Sequence, residues 1–459
     1  MGTLFGLGLA AQLGALLAIV LVTRSIYRLY FSPLAKFPGP KLAALTSLYE
    51  GYYDCFKEGG GRYHVEINRM HDKYGPIIRI NPWELHIRDP DWNEVYKITR
   101  RAYKPLCHRM RREAINSYFS PSAVAKYQPV VEELVRKLIH RLAEFKDTGE
   151  AVRLDDAFRA LATDGATAFA FRRPFGHLDS PDFEHVGNRG VRMLGYLGAL
   201  NRITKGFVLW ALRSLMPAWV ALGINPGSLG VQGFYKGEAA ADLGHQILNS
   251  NLPAEEKTLN LIKRESSAVA LAGTESTGST ITVTAYCLLS QPEKAARLRT
   301  ELKQAYENCG RPPTYQELKE LPYLVRRLVA SWCVQAANMM YRGLVIPKGT
   351  YVSTTQNDTH FCADIFPDPH TFCPERWLDG ADRKRLSKYL VPFGRGARSC
   401  IGMDIALTEI YLCLTRLFSP EAGFRLELHD TDYDMDVHFY HDFFSPFPKS
   451  KKGIKAFIK

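Results

Sequence analysis

Phe393-Gly394-Arg395-Gly396-Ala397-Arg398-Ser399-Cys400-Ile401-Gly402 is the stretch from which the fold of this 459-residue chain is read. Gly394 and Gly396 allow a tight backbone turn without a Cβ, so the chain can approach a flat ligand and point backbone N–H groups at one sulfur. Hydrogen bonds of that kind stabilise a thiolate, the form of cysteine that binds a metal. A cysteine judged alone is more often a small buried apolar residue, and here its neighbours reverse that expectation. Arg398 offers a cation to a carboxylate, and Gly402 lets the following helical pattern, Met403 to Leu417, pack closely.

Upstream, Phe372-Cys373-Pro374-Glu375-Arg376-Trp377 follows Phe366-Pro367-Asp368-Pro369 as a proline-rich turn region. The longest periodic segment begins after Ser250-Asn251, with Pro253 at an early position and Glu255 and Glu256 favouring the first turn, and it ends at Gln291-Pro292. At 1.5 Å per residue it predicts a rod of roughly 55 Å, buried in its middle. There, Ala272-Gly273-Thr274-Glu275-Ser276-Thr277 places small residues beside hydroxyls that can disturb the helical hydrogen bonds, and an acid beside a hydroxyl can relay protons. Without the cysteine loop, close helix packing through small residues would explain this stretch better. Val130 to Phe145 and Pro292 to Tyr306 read as amphipathic helices. Ile77-Ile78-Arg79-Ile80 and Glu84-Leu85-His86-Ile87 read as two short strands around Asn81-Pro82. The body, 41–459, is expected to be one mainly α domain with small β-sheets.

These segments resemble the cytochrome P-450 family. The cysteine loop matches the family's haem-binding signature F-x-x-G-x-R-x-C-x-G at every fixed position, a coincidence expected on the order of once in ten thousand chains of this length. The resemblance implies the cytochrome P-450 fold and a haem b (iron protoporphyrin IX). Cys400 would be its axial metal ligand, with Phe393, Gly394, Gly396, Arg398 and Gly402 as further cofactor-binding residues. A thiolate opposite dioxygen pushes electron density toward it and favours O–O cleavage. Ala272 to Thr277 is similar to the oxygen-activation motif [AG]-G-x-[DE]-T-[TS], with Ser276 where threonine is usual, which implies that Glu275, Ser276 and Thr277 are catalytic. Phe372 to Trp377 looks like the PERF-type motif. His108-Arg109-Met110-Arg111-Arg112 resembles the helix that supplies basic partners to the haem propionates, with Cys107 in the tryptophan's place of W-x-x-x-R, implying roles for His108 and Arg111.

The ends and the charge place the chain in the cell. Thr3 to Val22 carries no charge and has the length needed to cross a bilayer core, and Arg24, Arg28 and Lys36 follow it. Residues 1–23 are therefore expected to be a transmembrane anchor and 24–40, with Phe37-Pro38-Gly39-Pro40, a basic and proline-rich hinge. The body is then cytosolic, on a single-pass protein of the endoplasmic reticulum membrane. No charged region precedes the apolar run, which disfavours a cleaved signal peptide. Composition, 46% hydrophobic and 23% charged, excludes disorder for the bulk of the chain. Its formal net charge of +12 suits an acidic partner or membrane surface, and no recognition motif accompanies it to suggest nucleic acid. Nine scattered cysteines without a C-x-x-C pair argue against zinc and for free thiols.

Leu321 to Leu324 (LPYL) and Val345 to Thr350 (VIPKGT) look like fungal membrane-bound members that make secondary metabolites, of the trichodiene-oxygenase type. The resemblance implies a monooxygenase that inserts one oxygen atom from dioxygen into a small lipophilic substrate, terpenoids among the candidates, with electrons from NADPH through a separate membrane-bound reductase. Met193 to Phe234, rich in Leu, Val, Trp and Ala, is consistent with helices that dip into the membrane face, or with ordinary packing. Two departures stand against this. Where the family has E-x-x-R, the aligned residues are Ala330 and Cys333, leaving Arg376 without its usual acid, and the loop between Tyr96 and His108 is short. Both point to an eroded gene or to missing exons, and to the alternative of a catalytically degenerate haem-binding relative.

Overall fold

Apolar residues at helical spacing dominate the sequence, and the computed structural model is accordingly mostly helical with small sheets. It describes residues 2–92, 106–181, 183, 197, 200, 243–321, 334–335, 339–378, 380–396, 399–443 and 445–459. The segments 193–196 and 201–234, Pro322 to Leu324, Ala330, Cys333 and the 96–105 loop lie outside the described residues.

The helices in chain order are α1 (Gly2–Ile26), α2 (Lys41–Leu45), α3 (Leu48–Cys55), α4 (Tyr63–Tyr74), α5 (Leu106–Asn116), α6 (Pro121–Ala143), α7 (Leu154–Phe171), α8 (Leu243–Leu248), α9 (Leu259–Leu289), α10 (Pro292–Cys309), α11 (Tyr315–Leu318), α12 (Gln356–His360), α13 (Gly380–Ser387) and α14 (Met403–Phe418). The strands are β1 (Ile77–Asn81), β2 (Glu84–Ile87), β3 (Val152–Arg153), β4 (Val334–Gln335), β5 (Met339–Tyr341), β6 (Leu344–Ile346), β7 (Tyr351–Ser353), β8 (Leu426–His429), β9 (His441–Asp442), β10 (Pro446–Phe447) and β11 (Lys455–Ile458). They fall into two compact units, one made of Met1–Tyr103, Tyr196–Trp210 and Ser331–Thr359, the other of Lys104–Gly195, Ala211–Ala330 and His360–Lys459.

In the first unit the strands expected around Asn81-Pro82 pair antiparallel as β1 and β2, with Ile77 opposite Ile87. β2 runs parallel to β7, and β4 closes the sheet in the order β1-β2-β7-β4. Leu85, Ile87, Tyr341, Ile346 and Val352 bury one face. The window Ala11–Phe31 is apolar enough to cross a membrane and is unburied in the fold. Pro38 and Gly39 are docked on β1: Arg79 N donates to Pro38 O at 2.7 Å, and a Cβ on Gly39 would come 2.5 Å from Arg79 O. The proline segment is thus tied to the sheet.

The second unit is built around α7. Small residues alternate with apolar and charged ones along Leu154 to Phe171, so no side is wide enough to face water, and every residue of the helix is buried. α9 packs along it, and α6 and α14 complete the core with Val135, Leu138, Phe158, Ile281 and Leu414. β11 lies between β3 and β8 in an antiparallel sheet.

Helix starts differ from the sequence expectation for local reasons. α9 begins at Leu259, because the Thr258 hydroxyl accepts from Leu261 N at 3.2 Å. Glu255 and Glu256 belong to a separate 3-10 turn before it. α6 begins at Pro121, since Ser120 caps Ala123 N and proline is tolerated at the first helical position.

Candidate active site

The cysteine loop folds through its glycines. Gly394 and Gly396 have φ of 67° and 68°, the left-handed region in which a side chain is strained. Gly394 N donates to Val391 O at 2.9 Å, Ser399 N to Gly396 O at 3.1 Å, and Cys400 N closes the loop on Phe393 O at 2.7 Å. Cys400 is presented as an exposed residue. Although part of the residue is exposed, partial burial of its sulfur pushes the thiol above the ordinary value, while the backbone N–H of Gly402 and the charge of Arg112 pull the other way. Gly402 caps α14, and a Cβ there would meet only ordinary contacts, Ile405 Cγ2 at 3.7 Å and Phe119 Cε1 at 4.0 Å.

α9 divides the residues of its motif between two faces. Leu271, Ala272 and Ser276 are exposed, whereas Thr274, Glu275 and Thr277 are buried. The helix is unbroken through the motif. The hydroxyls of Thr274, Ser276, Thr280 and Thr282 each donate to the carbonyl four residues earlier, at 2.7 to 2.9 Å, so they decorate the ladder without opening it. Gly273 does not widen the exposed face. A Cβ on it would lie 2.7 Å from Ala166 Cβ of α7, and one on Gly278 would lie 2.8 Å from Arg159 Cγ. These glycines bring the two helices together.

Glu275 points to α7. Arg159 Nε lies 3.4 Å from its carboxylate, and Arg159 Nη1 lies 2.9 Å from Asp155 Oδ2. Burial works against the guanidinium's charge, but Glu275, Asp155 and Asp156 outweigh it and hold its pKa above the ordinary value. Sequence reading passed over Arg159. The signal was there in Asp155, Asp156 and Arg159 on one stretch of a helix otherwise too apolar to be a surface helix.

A cavity of about 490 Å³ runs beside the loop, lined by Thr280 and Thr284 of α9, Phe393, Met403 and Leu407 of α14, and Trp377. The cavity is reached by α9 downstream of the motif and by the Phe393 end of the loop; neither Cys400 nor any residue of Ala272 to Thr277 lines it. Arg376, at the same cavity, is partly exposed and donates to the carbonyls of Cys373, Asp368 and Thr371 at 3.2 to 3.4 Å. Backbone oxygens thus take up the charge expected to be stranded. Arg111 forms an ion pair with Glu256 at 2.6 Å. His108 lies on α5, its side chain outside the described residues, as Arg398 is altogether.

The Cytochrome P-450 family model matches residues 239–329 and 332–444. The cytochrome P-450 monooxygenase MO6277 of Ascocoryne sarcoides is 34% identical, covering 98% of this chain and 98% of that protein. The monooxygenase sdnE of Sordaria araneosa is 35% identical over 97% of each, and the tryptophan 6-hydroxylase fscE of Fusarium equiseti is 32% identical over 95% of this chain and 94% of its own. The family match breaks beside Ala330, where E-x-x-R is missing. The alignment with MO6277 runs over 514 positions against the 459 residues here, so that relative has internal residues without a counterpart in this chain. Identity of this order along nearly the whole length is not met between unrelated folds, and the chain belongs to the cytochrome P-450 family of monooxygenases.

Proposed function

We propose that the chain is a haem-thiolate monooxygenase of fungal secondary metabolism, acting on a small lipophilic substrate, terpenoids among the candidates. Its one catalytic domain would lie on the cytosolic face of the endoplasmic reticulum, held by residues 1–23 through the segment 24–40, and take electrons from a membrane-bound NADPH-dependent reductase. The observation that carries this reading is the loop in which two left-handed glycines present Cys400 as an exposed residue, with a cavity lined by Phe393 of the loop and by Thr280 and Thr284 of α9 beside it. Names of relatives support the setting: one is a tryptophan hydroxylase, another belongs to a grayanic acid biosynthesis cluster. The apolar Ala11–Phe31 window, followed by Lys36 and Lys41, supports the anchor and its orientation.

The donor set fits a haem. Cys400 would supply the metal ligand, the Gly402 N–H and Arg112 would favour its thiolate against the opposing effect of burial, and Phe393, Gly394 and Gly396 shape the loop. His108, Arg111 and Arg398 would be the cations for the propionates, and Arg111 would exchange its bond to Glu256 for one of them. Bound there, the haem supplies dioxygen activation and insertion of one oxygen atom into a C–H bond. The chain's own part is to hold protons near that chemistry. Ser276 is the hydroxyl on the exposed face of α9, Glu275 is the acid behind it, and Thr277 is a buried hydroxyl that follows them in the chain.

The test is a carbon monoxide difference spectrum of the reduced full-length chain. A thiolate-type Soret shift is expected and should disappear in Cys400→Ala; the same spectrum from Cys400→Ala sinks the assignment. The break in the family match beside Ala330 favours a second reading, a haem protein that no longer turns over. A thiolate spectrum with no reductase-dependent NADPH oxidation would select it.

A further inference from the structure

Two buried polar atoms of α9, Glu275 Oε1 and Ser279 Oγ, have no hydrogen-bond partner among the described residues. Such atoms are rare because leaving them without a hydrogen bond is costly; Glu275 Oε1 has a 3.4 Å ion-pair contact with Arg159 Nε instead. They sit at i and i+4, where side chains on a helix meet. At about 100° per residue, Ser279 projects roughly 40° round the helix from Glu275 and Ser276 about 100° round it. Ser279 therefore stands on the arc between the buried acid and the exposed hydroxyl. Glu275 is also the looser of the two partners of Arg159. The guanidinium is fixed at 2.9 Å by Asp155, which accepts from Arg153 Nη2 at 2.9 Å and from Ile454 N at 3.1 Å, whereas Glu275 is 3.4 Å away. If one partner leaves, it is Glu275.

We propose that Ser279 is a positioning residue of the proton relay, its hydroxyl taking up the Glu275 carboxyl when that group leaves Arg159 and turning it toward Ser276. This rests on the reading of Glu275 and Ser276 as the relay. Arg159 is then the resting place, and Ser279 the working one.

The experiment uses the haem-loaded full chain with a fungal NADPH-dependent cytochrome reductase and no added substrate, following NADPH oxidation and hydrogen peroxide release in H2O and D2O. Ser279→Ala should slow NADPH oxidation by roughly tenfold and enlarge the solvent isotope effect. Ser279→Thr should restore both, which a merely structural loss would not produce. An unchanged rate and isotope effect in Ser279→Ala would overturn the proposal. A second readout needs no turnover: in an Arg159→Met background, where Glu275 has lost its resting partner, unfolding midpoints with and without Glu275→Gln, Ser279→Ala and both should be non-additive if the two side chains bond. Additive midpoints overturn the proposal even where the chain is spectroscopically a haem-thiolate protein. A chain that loads no haem but gives non-additive midpoints refutes the oxygenase reading and leaves the Glu275–Ser279 bond standing.

Discussion

Nε2 of His71 lies 2.7 Å from Nδ1 of His86, inside a chain of hydrogen bonds that ends at Gly75 O, 2.8 Å from His71 Nδ1, and at Thr355 Oγ1, 2.8 Å from His86 Nε2. The Gly75 carbonyl can only accept, so His71 Nδ1 carries a proton and its Nε2 accepts from His86 Nδ1–H. Thr355 then donates to His86 Nε2. A further proton would set two N–H groups against each other. Burial lowers both rings. His71 falls to about 4, with Gly75 and Asp72 opposing and Arg88 assisting; His86 falls to about 3, helped by His71 and Arg88. In the unfolded chain both titrate near 6.5, so between about 6.5 and about 4 the unfolded state binds more protons and this contribution weakens as pH falls. Relative to the double variant His71→Gln/His86→Gln, which stays neutral, the parent should lose about 1.4 kcal/mol per pH unit for each ring below pH 6. Urea unfolding at pH 7 and pH 5 checks it, and a constant difference would contradict it.

Asp358 shifts the opposite way. Its Oδ2 is buried without a hydrogen-bond partner among the described residues, and burial raises the carboxyl to about 7, with Arg88 opposing and Asp72 assisting. The folded chain holds a proton there that the unfolded chain releases near 3.9, so stability is full below that value and lost as pH rises to about 7. Asp358→Asn should therefore gain on the parent by about 1.4 kcal/mol per pH unit across that window. Unfolding midpoints at pH 4.5 and pH 7 measure the gain; equal midpoints at both would show that the carboxylate is already paired.

Local rules in the sequence carried the cysteine loop and the β1–β2 hairpin, because a glycine's left-handed φ and the β-branched run around Asn81-Pro82 depend on near neighbours. They carried α10 from Pro292 for the same reason. The orientation of the oxygen motif was not legible. Whether Glu275 faces the exposed side or α7 is decided by Arg159, more than a hundred residues earlier, and by Gly273 and Gly278 fitting against α7. Arg376 likewise looked stranded because carbonyls of the turn around it leave no mark in the sequence.

Gly394→Ala should disturb the site more than the fold. Placing a Cβ at φ 67° costs about 1 to 2 kcal/mol. Relaxing that strain would pull on the Val391–Gly394 and Phe393–Cys400 hydrogen bonds. Unfolding midpoint and haem retention report the two effects separately. Full haem retention at parental stability would mean that the loop tolerates a side chain there.

Gly273→Ala tests which face the motif's glycine serves. If it opened the exposed face, alanine would narrow that face and leave packing alone. The structure expects the reverse. The new Cβ would lie 2.7 Å from Ala166 Cβ, closer than atoms pack, so α7 and α9 must part at a cost of about 1 to 3 kcal/mol. Removing the opposing methyl should relieve it, so Gly273→Ala/Ala166→Gly should recover most of the lost stability. Ala272→Leu, on the exposed face, should leave the unfolding midpoint near that of the parent and reduce haem or carbon monoxide binding instead. If Gly273→Ala lowers ligand binding at unchanged stability, or Ala166→Gly fails to rescue it, the glycine faces the site and the assignment of α9's two faces is wrong.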